Sequence, residues 1–289
     1  LSICIATYNR SKYLISVINK FCGFIKNKKV EIVISDNNST DNTKVLLQPF
    51  LQKYSFIKYY KNDTNIGLDL NYLNAIEKSN SKFCWLFSDD DIPLESSIES
   101  IISKLKLDPI LIYLNYSGFL DGNQNKATIE KKEDFISKNT ELFLKKYLIN
   151  HFSATIVRKS DFLKNKNIVK EYANLGFERG YILTVAHYTI LKSKSNVIFI
   201  GKTSILTRNN ENLISNRYNP LTIVYEIAIH YQKMRKRGLV KRKTESYVLN
   251  YYLRGFYKII IPIKLNYYQF YEKKIILKFI KSCKYYRNF

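Results

Sequence analysis

Three adjacent carboxylates, Asp89, Asp90 and Asp91, follow the apolar run KFCWLFS and precede an Ile-Pro pair. Like charges at this spacing repel each other unless a cation lies among them. Carboxylate oxygens are what Mn²⁺ and Mg²⁺ bind, usually one or two per ion, with phosphate and water completing the coordination. The residues alone leave two interpretations open: a solvated turn after a strand, or a site for a divalent cation.

Two other polar loops also follow apolar runs, TYNR after SICIA and DNNSTDNT after VEIVIS. The apolar runs alternate with segments of helical periodicity, and this alternation predicts an α/β fold, a mostly parallel sheet with helices on both faces. Ligands bind outside the carboxyl ends of the strands in such sheets. We therefore expect the TYNR, SDNNSTDNT and SDDD loops to open on the same edge.

Hydrophobic periodicity also predicts where individual elements lie. Ser11 is the expected N-cap of the first helix, at 11–25. A mixed pattern replaces the regular alternation beyond residue 108, and everything after Pro220 has a helical pattern. The expected strands are 1–7, 30–35, 56–60, 82–87, 110–120, 153–159 and 196–208, and the expected helices are 42–53, 68–78, 94–105 and 133–149. The segment 176–192 is expected to be a polar loop that leads into a further helix.

The composition is that of a globular protein, with 289 residues of which 46% are hydrophobic. That length suits one large domain or two smaller ones. The cysteines show no CxxC spacing, which predicts free buried thiols in a reducing cytosol and argues against a zinc site. They are Cys4, Cys22, Cys84 and Cys283.

The net charge is +23 and is unevenly distributed. The segment 233–289 holds 16 of the 47 Lys and Arg residues but only two of the 24 acids. Basic residues interleaved with Tyr, Phe and Ile are typical of three things: helices on an anionic membrane surface, single-stranded nucleic-acid binding, and helices that bury one face and solvate the other.

The ordered segments SICIATYNR, EIVISDNNSTDNT and NDTNIGLDLNYLNAIEKSNSKFCWLFSDDD resemble the nucleotide-binding half of a family 2 glycosyltransferase with the GT-A fold. WLFSDDDI is most similar to the abequosyltransferase-like branch of O-antigen and capsule enzymes. The resemblance is specific over 1–105 and weak to about residue 210. It implies a GT-A domain over 1–210, with a nucleotide-binding half at 1–105 and an acceptor-binding half at 106–210. The basic helical region 211–289 would follow.

Site residues follow from the same resemblance. The family's Asp-x-Asp-Asp pattern, with Ser88 in place of the first Asp, implies Asp90 and Asp91 as ligands of Mn²⁺ or Mg²⁺. Asp36 would accept the N–H of a pyrimidine base. The implied nucleotide-binding residues are Thr7, Tyr8, Arg10, Asp36, Asn38, Asn65, Gly67 and Asp89.

A general base is also implied, to take the proton of the acceptor hydroxyl. Glu178 in LGFERGYI is the first candidate, although Arg179 replaces the second acid of the family's Glu-Asp pair. Glu171 and Asp134 are the reserves. His151 is a weaker candidate for the acceptor site.

The resemblance implies transfer of a sugar from a nucleoside-diphosphate donor to a glycan or lipid-linked glycan. The protein would be cytoplasmic and peripheral on the inner face of the bacterial plasma membrane, with no nucleic-acid partner. A sugar nucleotidyltransferase is one alternative, but its Gly-rich loop after the first strand is absent from TYNRSKY. A basic nucleic-acid-binding protein is the other, and three carboxylates would repel its ligand.

Overall fold

The computed structural model describes residues 1–25, 29–119, 127–147, 151–169 and 181–208, with short pieces at 231–232, 235–238 and 241–243. The chain divides into two compact units, Leu1–Asn209 and Asn210–Phe289. Several residues singled out from the sequence lie outside the described residues, namely Glu171, Glu178, His230 and Cys283.

The described part of the first unit contains nine strands and seven helices. The strands are β1 Ser2–Thr7, β2 Glu31–Asp36, β3 Ile57–Lys61, β4 Phe83–Ser88, β5 Ile92–Pro93, β6 Leu111–Phe119, β7 Phe135–Ser137, β8 Thr155–Arg158 and β9 Val197–Arg208. The helices are α1 Ser11–Phe24, α2 Thr43–Lys53, α3 Leu68–Lys78, α4 Glu95–Leu105, α5 Thr140–Lys146, α6 Lys159–Leu163 and α7 Tyr181–Leu191.

All nine strands form one sheet in the order β3-β2-β1-β4-β8-β6-β9-β5, with β7 paired to β9. The first four in that order are mutually parallel, whereas β8 runs antiparallel to both β4 and β6. Six of the nine strands point the same way. The predicted α/β class and mostly parallel sheet are confirmed.

The order of the strands reverses direction at β1. The chain first moves outward from β1 to β2 and β3, and α3 then returns it across the sheet to β4 on the other side of β1. Right-handed crossovers in opposite directions place their helices on opposite faces. Accordingly α1 contacts α2, whereas α3 contacts α7. The loops after β1 and β4 therefore flank the crevice in which open α/β sheets bind ligands.

The apolar runs predicted as strands form the core. Trp85 and Phe87 of β4 pack edge-to-face with Phe21 of α1, with ring centroids 4.8–5.7 Å apart. The Trp85 Nε1–H donates to the carbonyl oxygen of Ser153 at 2.6 Å. This bond ties the centre of β4 to the segment that leads into β8, next to the three aspartates.

Two expectations about individual elements are wrong. Ser11 is the first residue of α1 and not its N-cap, and its backbone N–H donates to Asp41 in the loop after β2, at 3.0 Å. The segment 133–149 forms strand β7 followed by the shorter helix α5, because Phe135–Ser137 pairs with β9.

The prediction of free, buried thiols is confirmed for two of the three cysteines that the structure describes. Cys4 and Cys84 are free, buried thiols, whereas Cys22 is free and partly exposed. None of the described helices has both the length and the apolar character that a membrane crossing requires.

Candidate active site

The loops after β1 and β4 meet, as expected from the strand ends. Thr7 Oγ1 donates to Asp89 Oδ2 at 2.7 Å. Arg10 Nε lies 2.9 Å from Asp89 Oδ1, and the Nη2 group of the same side chain donates to Asp90. These contacts join residues about 80 positions apart in the chain, so the fold creates the cluster.

The positively charged side chain of Arg10 lies between the carboxylates of Asp89 and Asp90. The residues alone had suggested a bound metal ion as the partner of the aspartates, and the structure shows a guanidinium group in contact with both Asp89 and Asp90. Burial raises the pKa of Asp89 to about 7, with Arg10 acting to lower it and Asp90 to raise it. Burial is the largest of these effects, and the charge of Arg10 offsets it only in part.

Asp91 is held by residues that the sequence analysis did not find. Ser153 Oγ donates to its Oδ2 at 2.6 Å, and the backbone N–H of Arg208 donates to its Oδ1 at 3.0 Å. Burial and the neighbouring charge of Asp90 raise the pKa of Asp91 to about 7. Arg208 ends β9 in the polar run TRNN, which resembles the polar loops that follow the other strands. That resemblance could have identified Arg208 as a site residue from the sequence.

Asp90 is the most accessible of the three aspartates. Its side chain is 15% exposed, against 7% for Asp89 and 4% for Asp91. Ser88 Oγ donates to Asp90 Oδ1 at 2.6 Å and fixes the carboxylate at the end of β4. A metal ligand must be accessible to the incoming ion, so the higher exposure of Asp90 is consistent with the role of metal ligand predicted for it.

A divalent cation fits this donor chemistry. In the part of the chain that the structure describes, no three His, Cys, Asp or Glu side chains form a ready-made metal site. Hard cations bound together with phosphates need only one or two protein carboxylates. The oxygens of Asp90, supported by Asp91, meet that need, and cationic residues nearby suit a diphosphate.

Asp36 ends β2 and is almost completely buried. Its Oδ1 accepts the backbone N–H of Ser39 at 2.7 Å, and its Oδ2 accepts the hydroxyl of Tyr59 at 2.5 Å. Burial, together with the charge of Asp36, raises the pKa of Tyr59. Asp36 therefore fixes the loop after β2 against β3, and its contact with a nucleotide base stays a prediction.

Other predicted nucleotide-binding residues hold the loops together. Asn38 has a left-handed backbone, with φ of 65°, and its Nδ2 donates to the carbonyl oxygen of Asp63 at 3.1 Å. Asn65 Oδ1 accepts the side chain of Asn37 at 2.6 Å and the N–H of Gly67 at 3.0 Å. These contacts connect the loop after β2 to the loop before α3.

An open groove borders these loops. A cavity of about 550 Å³ is lined by residues of β3, the following loop and α3, including Tyr59, Lys61, Asn62, Asp63 and Asn74. The Tyr8 side chain is 43% exposed, so its ring is accessible for stacking. Lys61 Nζ donates to the carbonyl oxygen of Ser39 at 2.8 Å.

The reserve candidates for the general base have structural contacts. Asp134 accepts the N–H of Gly201 at 2.9 Å and pairs with Lys104 at 2.6 Å. Burial acts to raise the pKa of Asp134, but these bonds lower it below its usual value. Glu178 and Glu171 lie outside the described residues.

His151 borders the aspartates on the side of β6 and β8. Its ring lies 4.7 Å from that of Tyr116, and its Nε2 lies 3.8 Å from Asp91 Oδ2. The side chain is 27% exposed, but its Nδ1 is buried, and burial lowers the pKa of His151 to about 4 against the opposing effect of Asp90. A neutral imidazole therefore forms one wall of the site.

The fold is that of GT-A glycosyltransferases. TarS of S. aureus in complex with UDP-GlcNAc superposes with a TM-score of 0.65 at 17% identity, over 89% of this chain and 72% of that one. A second TarS structure gives 0.67 at 15% identity, over 94% and 76%. At these identities the likeness establishes the fold alone.

The family model "Glycosyl transferase family 2" matches residues 2–164, more than half of the chain, and the chain belongs to that family. It is 39% identical to abequosyltransferase RfbV of Salmonella typhimurium over 100 residues, 34% of this chain and 30% of the relative. It is 28% identical to GalNAc(5)-diNAcBac-PP-undecaprenol beta-1,3-glucosyltransferase of Campylobacter jejuni over 178 residues, 60% of this chain and 55% of the relative.

The chain thus spans about a third and about half of the lengths of these two relatives. The prediction that the protein is a family 2 glycosyltransferase is confirmed. These matches do not support the two alternatives raised from the sequence, a sugar nucleotidyltransferase and a basic nucleic-acid-binding protein.

Proposed function

We propose that the protein transfers one sugar from a nucleoside-diphosphate sugar to a hydroxyl of a bacterial surface glycan, such as an O-antigen, capsule or lipooligosaccharide chain. The observation that carries this proposal is the meeting of the β1 and β4 loops at the strand-order reversal, with Arg10 against Asp89 and Asp90. The name of the Campylobacter relative, which contains an undecaprenol-linked glycan, supports a lipid-linked glycan as the acceptor.

The donor would lie along the loops after β1, β2, β3 and β4. In this proposal Asp90 and Asp91 hold Mn²⁺ or Mg²⁺, which when bound neutralises the charge that develops on the leaving diphosphate. The higher exposure of Asp90 supports it as the direct ligand. The residues proposed to contact the nucleotide are Thr7, Tyr8, Arg10, Asp36, Asn38, Asn65, Gly67 and Asp89.

The proposed reaction is a single displacement with inversion. The acceptor oxygen attacks the anomeric carbon, the bond from that carbon to the diphosphate oxygen breaks, and its electron pair leaves with the diphosphate. Glu178 takes the acceptor's proton as the new bond forms. Glu178 precedes Ile182 of α7 by four residues, and the Ile182 N–H donates to Asp69 of α3 at 3.2 Å.

We also propose that the enzyme works on the inner face of the plasma membrane, with the GT-A domain at 1–210 and the basic region 211–289 at the lipid surface. The net charge of +23 supports this placement, because anionic lipids attract clusters of Lys and Arg. The Campylobacter relative is named for an undecaprenol-linked acceptor. The proposal includes no nucleic-acid partner.

Thermal stabilisation tests the proposal. The melting temperature is measured with UDP, CDP, GDP and dTDP, each with and without Mn²⁺, since a ligand of the native state raises it. We expect one nucleotide to give a Mn²⁺-dependent increase in wild type and in Asp108→Asn, a control in which the carboxylate is exposed. The increase should disappear in Asp90→Asn. No increase with any nucleotide would contradict the proposal.

A further inference from the structure

We propose that Arg10 closes the carboxylate cluster when no nucleotide is bound and moves onto the donor's diphosphate when it arrives, which makes cation and diphosphate bind cooperatively. The proposal rests on the proposed function, and it concerns how Arg10 changes partners between the protein without donor and the protein with donor bound. In this view Arg10 controls access to Asp89 and Asp90 before the donor binds and contacts the diphosphate afterwards.

Every carboxylate oxygen of the cluster already has a donor or cation within 3.0 Å. The two oxygens of Asp89 contact Arg10 and Thr7, and those of Asp90 contact Arg10 and Ser88. The two oxygens of Asp91 accept from Ser153 and Arg208. Each oxygen could still accept a second contact. However, a cation bound at Asp89 or Asp90 would lie next to the Arg10 guanidinium, and the two positive charges would repel each other.

Arg10 is the partner that can leave most easily. Ser153, Thr7 and the backbone N–H of Arg208 belong to the sheet or its borders, and Ser88 ends β4. The Arg10 side chain is 23% exposed and extends from a loop residue immediately before α1. Its guanidinium group lies 5.1 Å from the centre of the Tyr13 ring, so it can move along that ring without losing all contact.

A diphosphate gives Arg10 a better partner than the carboxylates it leaves. The guanidinium fork binds phosphate oxygens in pairs, and such charge-assisted bonds are stronger than neutral ones. Once Arg10 leaves, Asp90 and Asp89, whose side chains are 15% and 7% exposed, lose the ion pairs that they make with it. The two carboxylates then bind a divalent cation more strongly. Diphosphate binding thereby strengthens cation binding, and by linkage the reverse holds to the same extent.

Titration calorimetry tests this inference, first with Mn²⁺ alone and then with the preformed Mn²⁺–pyrophosphate complex as titrant, because free pyrophosphate would itself bind Mn²⁺ in solution. We expect Arg10→Gln to bind Mn²⁺ alone at least about tenfold more tightly than wild type, since the competing guanidinium is gone. With pyrophosphate present the order should reverse, because wild type then has Arg10 on the phosphates and the variant does not. Arg10→Lys should fall between the two in both measurements.

The reversal of order separates this inference from simpler roles. If Arg10 only repelled cations, Arg10→Gln would bind Mn²⁺ more tightly in both measurements, and if it only supported the fold, the variant would bind more weakly in both. Either result overturns the inference. Lys12→Gln removes a charge two residues away and should leave both affinities within about twofold of wild type. The melting temperature of each variant verifies folding.

Failure of the inference and failure of the proposed function can be told apart. The measurement with Mn²⁺ alone involves no nucleotide, so it judges Arg10 even if none of the four nucleoside diphosphates stabilises the protein. Conversely, Mn²⁺-dependent stabilisation by one nucleotide, together with equal Mn²⁺ affinity in wild type and Arg10→Gln, would keep the transferase proposal and reject the role of Arg10.

Discussion

At the scale of single residues, the site consists of buried carboxylates fixed by specific donors. Asp91 receives a hydroxyl from Ser153 and a backbone N–H from Arg208, and burial is the largest influence on its ionisation. Burial raises the pKa of Asp91 to about 7. The direction of that shift determines how the stability of the metal-free protein depends on pH.

Asp91→Asn should change that dependence. The unfolded chain releases the Asp91 proton near its usual pKa of about 4, whereas the folded protein keeps it until about pH 7. Between these values the folded state binds more protons, so this group lowers the free energy of unfolding as pH rises to 7 and adds no further change above it. Asparagine cannot ionise. The melting temperature of Asp91→Asn relative to wild type should increase from pH 5 to 7 in EDTA, and a constant difference would contradict the shift.

The sequence predicted the carboxylates of the site better than it predicted their partners. Asp89, Asp90 and Asp91 were found because apolar runs mark strands, and strands in a parallel sheet end at a common edge. Ser153 and Arg208 were missed because they contact Asp91 across 62 and 117 residues, on strands whose pairing no local pattern specifies. Arg10 was predicted to line a nucleotide pocket, and its contact with the aspartates was not foreseen.

At the scale of elements, the loops between strands and helices are shaped by a few backbone requirements. Gly67 precedes α3 with φ of 83°, in the left-handed region that favours glycine. Gly201 in β9 faces a different constraint, because a Cβ atom there would lie 2.0 Å from the carbonyl oxygen of Lys132. The close approach allows the N–H of Lys132 to donate to the carbonyl oxygen of Gly201 at 2.9 Å, beside a bulge in β9.

Alanine substitutions at three glycines should therefore have three different effects on the free energy of unfolding. Gly201→Ala should destabilise by more than about 2 kcal/mol, since the backbone of Lys132 must move. Gly67→Ala should cost about 1 kcal/mol through its backbone conformation alone. Gly23→Ala in α1 meets nothing within 4 Å and should stabilise by about 0.5 kcal/mol. Urea denaturation measures all three, and equal effects at Gly67 and Gly201 would contradict the close approach.

Element positions were predicted well wherever periodicity is strong, as for α1, α3 and α4. The N-cap of α1 and the segment 133–149 were predicted wrongly for one physical reason. Asp41, which accepts the Ser11 N–H, and β9, which pairs with Phe135–Ser137, are both distant in the chain. Tertiary partners of this kind override local propensity and leave no signal in the local sequence.

At the scale of the whole molecule, the basic charge is concentrated in the segment 233–289. The basic residues of 233–289 are interleaved with aromatic and aliphatic ones, and exposed lysines are present in the described pieces of the second unit. Electrostatic attraction to anionic lipid contributes about 1 kcal/mol per cation near the surface and is screened by salt. This makes the membrane proposal measurable.

The full chain should sediment with vesicles containing phosphatidylglycerol and not with pure phosphatidylcholine, and 0.5 M NaCl should release it. Replacing Lys236, Lys241 and Lys243 together by alanine should weaken binding at least about tenfold. The matched control replaces three exposed lysines of the first unit, Lys12, Lys29 and Lys44, and should change binding far less. Equal losses in the two triple variants would show that net charge alone governs binding and would contradict a role for the second unit.

The position of Arg208 at the end of β9 also determines when the site can assemble during translation. A ribosome delivers the three aspartates early, but the two donors of Asp91 emerge only 62 and 117 residues later. A nascent chain that has not yet reached Arg208 therefore carries the acidic loop without its full set of hydrogen-bond donors. Synthesis proceeds from the N-terminus at about 5–20 residues per second, so the acidic loop stays incomplete for several seconds after it emerges. The carboxylate cluster is translated well before the last of its own hydrogen-bond donors, so it is among the last parts of the site to be assembled.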